Sequence, residues 1–407
     1  MPGGTALISR LKSDLLDEVQ RHMLPYWVEH TIDEDNGGFV GRIRQNGERV
    51  HDAPKGSVLN TRILWTFAAA YRFFQRDRYR ELAERAHAYL MDHFWDPVHA
   101  GVFWTVDSRG HPQETRKQTY AQAFALYGFS EYHRATGDPG ALSEAIHMAQ
   151  LIETHSADPQ HGGYLEALGR SWERIEDVRL SERDLNAPKS MNTHLHVLEA
   201  YTNLVRVWPD APLSERLASL VALFVEKIID AETHHLSTFF ERDWSPVTGM
   251  ISFGHDIEAS WLLLEAADVL GDSVTRSRVR EVAIALARAT LLEGIDTGGG
   301  VVNEGTPNGV TDGDKYWWAQ FETIVGCVNA YQETRSADFL EAAVATWDYA
   351  RCHLVDEEFG EWHFRVSRDG RPYPEDDKVG MWKCPYHGVR ACFEVIERAT
   401  RLEQEHT

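Results

Sequence analysis

The string Asp158-Pro-Gln-His-Gly-Gly-Tyr164 recurs in altered form along the chain, and its recurrence decides the fold. It consists of an acidic residue, a glycine pair and then an aromatic residue. Further copies are Asp35-Asn-Gly-Gly-Phe39, Asp96-Pro-Val-His-Ala-Gly-Val-Phe-Trp104, Asp296-Thr-Gly-Gly-Gly-Val301 and Asp356-Glu-Glu-Phe-Gly-Glu-Trp362, with a degenerate one at Asp230-Ala-Glu-Thr-His-His-Leu236. The acidic anchors at 35, 96, 158, 230, 296 and 356 lie 60 to 72 residues apart, enough for two helices and their turns. Six helical hairpins are expected.

The helices between these loops are of two kinds. From residue 78 to 95, Tyr79, Leu82, Ala83, Ala86, Leu90 and Phe94 form one apolar stripe, and Leu213, Leu217, Leu220, Val221, Phe224 and Ile228 repeat it. Such helices bury one face and wet the other, as an outer ring requires. Residues 58–71, 191–208 and 260–270 are instead apolar nearly all round, with polar residues gathered in the first turns, as suits an inner ring. Six inner and six outer helices make an all-α (α/α)6 barrel, with the glycine-rich connections forming short β-hairpins over one mouth. No linker, charge block or low-complexity stretch divides residues 1–407, so a single catalytic domain is expected.

Composition narrows the function. The 407 residues are 43% hydrophobic and 11% aromatic, which supports a large core, and 63 acidic against 41 basic side chains give a formal charge of -22. That charge repels polyphosphates and anionic lipid surfaces, which excludes nucleic acid and membrane as expected partners. The first residues carry no long apolar run behind a basic start, and no segment approaches the roughly 20 apolar residues of a membrane helix. A cytoplasmic monomer is expected. The four cysteines, Cys327, Cys352, Cys384 and Cys392, lack Cys-x-x-Cys spacing and read as reduced, mostly buried thiols.

Residues entering the inner helices from the long loops must sit at one end of the barrel. In order they are Arg62; Tyr120 and Gln122; Asn192, His194 and His196; His255 and Glu258; Trp317 and Trp318; and Trp382, Tyr386, His387 and Arg390. The set is rich in imidazole and indole. Indole faces stack on pyranose rings while Asn, Arg and Glu take up hydroxyls, so the cavity is suited to carbohydrate. Each residue also has an ordinary use: core packing for Trp318 and Trp382, a structural ion pair for Arg62 and Glu258. His194-Leu-His196 and His255-Asp-Ile-Glu258 have the look of metal ligands. Residues two apart on a helix diverge by about 200°, however, so His194 and His196 cannot share an ion. Asn192 with His196, and His255 with Glu258, do share faces.

Arg62-Ile-Leu-Trp-Thr-Phe67, Ser190-Met-Asn-Thr-His-Leu-His-Val-Leu-Glu-Ala-Tyr201, Gly254-His-Asp-Ile-Glu-Ala-Ser-Trp-Leu-Leu263, Trp317-Trp-Ala-Gln320, Asp376-Asp-Lys-Val379 and Trp382-Lys-Cys-Pro-Tyr-His387 together resemble the N-acylglucosamine 2-epimerase superfamily, and within it the bacterial cellobiose 2-epimerases. The resemblance spans essentially the whole chain. It departs at Cys384, where those relatives tend to carry glycine. It implies an (α/α)6 barrel, no metal and no nicotinamide cofactor, with His255 and His387 as paired general acid and base and His196 assisting ring opening. Arg62, Asn192, Glu258, Trp318 and Trp382 fall where the family places sugar contacts, and Tyr120 joins them as an inner-helix entry.

Inverting carbon 2 of a reducing sugar explains the need for two imidazoles. The ring opens, one histidine removes the proton, a cis-enediolate forms, and a histidine on the other face returns a proton. An imidazole titrating near pH ~6.5 can serve as base or acid, and Arg62 would hold the enediolate oxygen. Other readings remain: a mannose or N-acylglucosamine epimerase or isomerase, an inverting glycoside hydrolase built on Glu258 and Glu304, or a sugar-binding protein without catalysis.

Overall fold

The computed structural model describes residues 2–405. Its helices are α1 (Pro2–Glu18), α2 (Leu24–His30), α3 (Ser57–Phe74), α4 (Asp77–Tyr89), α5 (Thr119–Thr136), α6 (Pro139–Leu151), α7 (Met191–Val207), α8 (Ala211–Leu223), α9 (Phe253–Leu270), α10 (Ser273–Ala289), α11 (Trp317–Thr334), α12 (Ala337–His353) and α13 (Tyr386–Gln404). Helices α3, α5, α7, α9, α11 and α13 pack in that order, and α13 returns to α3, closing an inner ring. Each inner helix is backed by one outer helix: α4, α6, α8, α10 and α12 for the first five, and α1 for α13. This is the (α/α)6 barrel expected from the loop spacing.

The two kinds of helix differ in burial as their composition requires. In α3 every residue from Ser57 to Ala70 is buried, whereas α4 buries only Tyr79, Leu82, Ala83, Ala86 and Tyr89. Outer helices start on aspartate caps: Asp138, Asp210 and Asp272 accept from backbone N–H groups of α6, α8 and α10. Helices α1, α4, α6, α8 and α10 run into a π turn of five residues, which widens the coil as the chain leaves for the mouth.

The connections include the expected short hairpins, Thr105–Val106 with Pro112–Glu114 and Glu304–Thr306 with Gly309–Asp312, and they also form a belt. The strand before an inner helix pairs with a strand from the next repeat: Lys55–Gly56 with Thr105–Val106, Lys117–Gln118 with Ala167–Leu168, Lys189–Ser190 with Phe239–Phe240, Ile251–Ser252 with Glu304–Thr306, and Lys315–Tyr316 with Arg365–Val366. Ile43–Arg44 pairs with Asp377–Val379 and closes the circle. Consecutive repeats are thereby tied together around the mouth.

Beneath this belt lies the reason for the acidic anchors. Each loop is pinched by an antiparallel bridge, such as Trp95 with Val102 and Ala157 with Tyr164, and in all but the fourth the aspartate just after the bridge receives a buried lysine. Lys117 Nζ is 3.2 Å from Asp96, Lys189 3.0 Å from Asp158, Lys315 3.3 Å from Asp296 and Lys378 2.5 Å from Asp356. In the first copy the bridge joins Ile32 to Phe39, and Lys55 reaches Asp33 at 2.8 Å. The equivalent anchor is therefore Asp33 and not Asp35, which is exposed; the glycine pair sits two residues further from it than the motif suggested. The degenerate fourth copy has Ile251 in the lysine position, and there His235 Nδ1 meets the buried Asp256 at 2.7 Å.

Cys327, Cys384 and Cys392 are buried, Cys352 is exposed, and all four are free. Among the described residues no helix is long and apolar enough to cross a membrane.

Breaking one buried strut leaves an uncompensated charge. Lys189 also donates to the carbonyls of Gly162 and Arg242. Lys189→Met is expected to cost about 3–5 kcal/mol, read from the urea midpoint. Burial opposes ionisation of Asp158, but Lys189 and Arg242 hold its pKa down to about 2. Its contribution is thus full above the unfolded value of about 4 and is lost as pH falls toward 2. The variant's deficit should shrink over that window.

Candidate active site

The first turns of the inner helices do converge. Arg62 of α3, Tyr120 of α5, Asn192 and His196 of α7, His255 and Glu258 of α9, Trp318 of α11, Trp382 of the approach to α13 and His387 of α13 line one cavity. Gln122 and His194 turn away. Gln122 accepts from the N–H of Val102, and His194 Nε2 accepts from the N–H of Tyr164 at 2.8 Å, so both secure loops. His194 and His196 point to different places, as two-residue spacing on a helix dictates.

The three cavity histidines are held in different ways. His387 Nδ1 lies 2.7 Å from Glu322 Oε1, His196 Nδ1 3.0 Å from Glu199 Oε2, and His255 Nδ1 2.7 Å from the hydroxyl of Ser252. Trp318 stands beside two of them, its ring 4.7 Å from that of His255 and 5.5 Å from that of His387. Trp318 and Trp382 are each only half-buried, which leaves indole surface open to the cavity.

Among the described residues Arg62 has no carboxylate partner. Its Nη2 donates to the Tyr120 hydroxyl at 2.7 Å, its Nη1 reaches Cys384 Sγ at 3.8 Å, and its guanidinium lies 4.2 Å from the Phe124 ring. The structural ion pair is therefore not its use. A buried, permanently charged group with neutral neighbours is a standing site for a developing negative charge. Cys384 takes part in that cradle, so the departure from the family pattern lies next to Arg62.

Glu258 is in an ion pair. Arg390 Nη2 is 2.7 Å from Oε1 of both Glu258 and Glu322, and its Nη1 donates to Glu199. Glu258, Glu322 and His387 bring one ligand atom each within 4.8 Å of the others, a spacing that a metal ion could use. Arg390 already supplies positive charge to both carboxylates of that group. Glu258 Oε2 is buried with no hydrogen-bond partner among the described residues, on a residue that lines the cavity.

Four residues of the connection after Ala167–Leu168, namely Leu180, Ser181, Arg183 and Asp184, form the far wall, with Asn303 and Glu304 opposite in sequence and beside them in the cavity lining. Glu304 was singled out in the sequence as a candidate carboxylate; the others were not legible there, because an irregular segment has no periodicity to place it. Glu199 and Glu322 were within reach: they stand three and four residues after His196 and Trp318, on the same helical faces.

Fold and cavity define the class: a sugar-converting (α/α)6 barrel that works by acid–base chemistry. The chain belongs to the N-acylglucosamine 2-epimerase (GlcNAc 2-epimerase) family, which it matches over residues 37–391. It is 48% identical over 387 residues to the cellobiose 2-epimerase of Bacteroides fragilis, covering 95% of this chain and 98% of that protein. The structure of the cellobiose 2-epimerase from Bacillus thermoamylovorans B4167 superimposes with a TM-score of 0.92 at 39% identity, over 96% of this chain and 100% of the other. A D-mannose isomerase shares the fold, with a TM-score of 0.81 at 20% identity over 96% of this chain and 97% of the other.

Burial changes the titration expected of free imidazole. His255 keeps some surface open to the cavity but is embedded in the barrel wall, and desolvation, aided by His196, pushes its pKa down to about 3. His387 is driven well below the usual value by burial and then by Arg62 and Arg390. Both imidazoles are therefore neutral well below pH ~6.5, and if they are the acid–base pair kcat/KM is expected to hold from pH 7 to about 5 in a pH–rate profile. Stability behaves otherwise. Between about pH 6.5 and 3 the unfolded chain takes up protons that folded His255 refuses, so stability falls as pH drops through that window. Urea titrations should show this slope reduced in His255→Gln.

Proposed function

We propose that this chain is a single-domain, monomeric cytoplasmic cellobiose 2-epimerase, interconverting glucose and mannose at the reducing end of β-1,4-linked disaccharides. The observation that carries this reading is that His255 and His387 both stand beside Trp318, at 4.7 and 5.5 Å between ring centroids, in the cavity that also holds Arg62. The 48% identity to the B. fragilis cellobiose 2-epimerase supports the substrate. No cofactor and no metal enter the scheme.

The reducing-end ring would stack on Trp318, and the second sugar would lie toward Trp382 and the wall of Ser181 and Asp184. His196, backed by Glu199, would move the proton needed to open the ring. Only the open aldehyde acidifies carbon 2. One of His255 and His387 then removes that proton while Arg62 holds the enediolate oxygen. Rotation about the carbon 2 to carbon 3 bond exposes the other face to the second histidine. That histidine starts neutral, takes up a proton passed on from the first imidazolium through water while the enediolate is present, and delivers it to carbon 2, leaving both imidazoles neutral again. Asn192, Tyr120 and Glu258 would hold hydroxyls. Lactose would give epilactose by the same steps.

The test is incubation of EDTA-treated protein with cellobiose in D2O, followed at carbon 2 by NMR. Deuterated glucosyl-mannose is expected, with exchange reduced at least 100-fold in His255→Ala and His387→Ala, within the ~10²–10⁴ that a positioned acid or base contributes. Exchange of mannose or N-acetylglucosamine but not cellobiose would overturn the substrate while keeping the mechanism. Free glucose would point instead to hydrolysis by Glu258 and Glu304. On prolonged incubation the enediolate should also take a proton at carbon 1, so a slowly formed ketose is expected by chromatography.

A further inference from the structure

Ser252 precedes α9, the position from which a serine side chain ordinarily accepts the first free N–H groups of a helix. Its counterpart before α7 does this: Ser190 Oγ accepts from the N–H of Thr193 at 3.1 Å. Ser252 does not cap α9. Its Oγ is 2.7 Å from His255 Nδ1, and it lines the same cavity as that ring. The local helix preference has been set aside at the one inner-helix entry that carries His255, and such violations gather at functional positions.

The backbone fixes where this hydroxyl stands. Ser252 is paired with Glu304 in the antiparallel ladder of Ile251–Ser252 and Glu304–Thr306, so the mouth belt holds the atom that touches the imidazole. Trp318 bounds the same ring at 4.7 Å. His255 is thus confined between an indole and a hydroxyl.

The hydroxyl differs from the partners of the other two histidines, which are carboxylates. A carboxylate behind an imidazole adds negative charge near a site where an enediolate must form. A hydroxyl can accept from Nδ1–H and so leave Nε2 unprotonated for the substrate, without adding that charge.

We infer that Ser252 is a positioning residue that holds His255 as its Nδ1–H tautomer, with Nε2 free to exchange a proton with the sugar. This rests on the reading of His255 as an acid–base group. The experiment uses 15N-histidine-labelled protein, with His255→Ala to assign the resonance, and compares wild type, Ser252→Ala and Ser252→Thr by NMR and by steady-state kinetics.

Wild type is expected to show the Nδ1–H tautomer and Ser252→Ala a mixture. The alanine variant should lose about 10- to 100-fold in kcat, part of the ~10²–10⁴ available to a positioned acid–base group, with KM within about twofold. Ser252→Thr keeps the hydroxyl in an extended backbone that suits a branched residue, and should restore both tautomer and most of kcat. An unchanged tautomer in Ser252→Ala, or threonine no better than alanine, would overturn the inference. If His255→Ala retained exchange, the reading of His255 would fall instead, and the tautomer measurement would still decide whether Ser252 orients the ring.

Discussion

One guanidinium organises the floor of the cavity. Arg390 of α13 reaches Glu199 of α7, Glu258 of α9 and Glu322 of α11, so a single side chain ties four of the six inner helices together. Three carboxylates stripped of water would repel one another and resist ionisation; with Arg390 between them they hold each other in place. Burial works against the charge on Glu199, yet Arg390 and His196 hold its pKa down to about 2. Glu258 and Glu322 are pushed the other way by burial. The consequence for chemistry is indirect but strong, since Glu199 backs His196 and Glu322 backs His387.

The mouth is fixed by a second set of buried charges with a different logic. Each lysine strut joins the strand before an inner helix to the loop that closes the preceding repeat, so the helix entry and the loop cannot move independently. The belt of short strand pairs runs in the same sense around the ring. Both devices act where the cavity side chains begin, which is how an all-helical ring presents side chains from six different helices in one register. The fourth repeat uses His235 and Asp256 in place of lysine, on the same helix that carries His255 and Glu258.

Charge is distributed unevenly within the cavity. The carboxylates are clasped by Arg390 below, while Arg62 faces the cavity with a phenol, a thiol and aromatic rings for company. A negatively charged intermediate would meet the Arg62 guanidinium and half-buried indoles. Histidines in such a place lose protons easily, which is a departure from the free-imidazole behaviour that composition alone suggests.

The sequence by itself determined the ring. Six loop copies at near-constant spacing, and two classes of helix distinguishable by whether one face or all faces are apolar, admit few other packings. It also determined which residues sit at the mouth, because the first turn of every inner helix must lie there, and Arg62, Asn192, His255 and Trp318 follow from that alone. Only the tertiary structure decided which of those residues turn inward: His194 and Gln122 look the same as His196 and Tyr120 on paper, and are distinguished by loop N–H groups brought from about 20 to 30 residues away. The lysine struts, the Asp33 anchor, the clasp of Arg390 and the wall from Leu180 to Asp184 belong to the same category. Each depends on partners whose distance in sequence carries no period, so no local pattern records them until the ring closes.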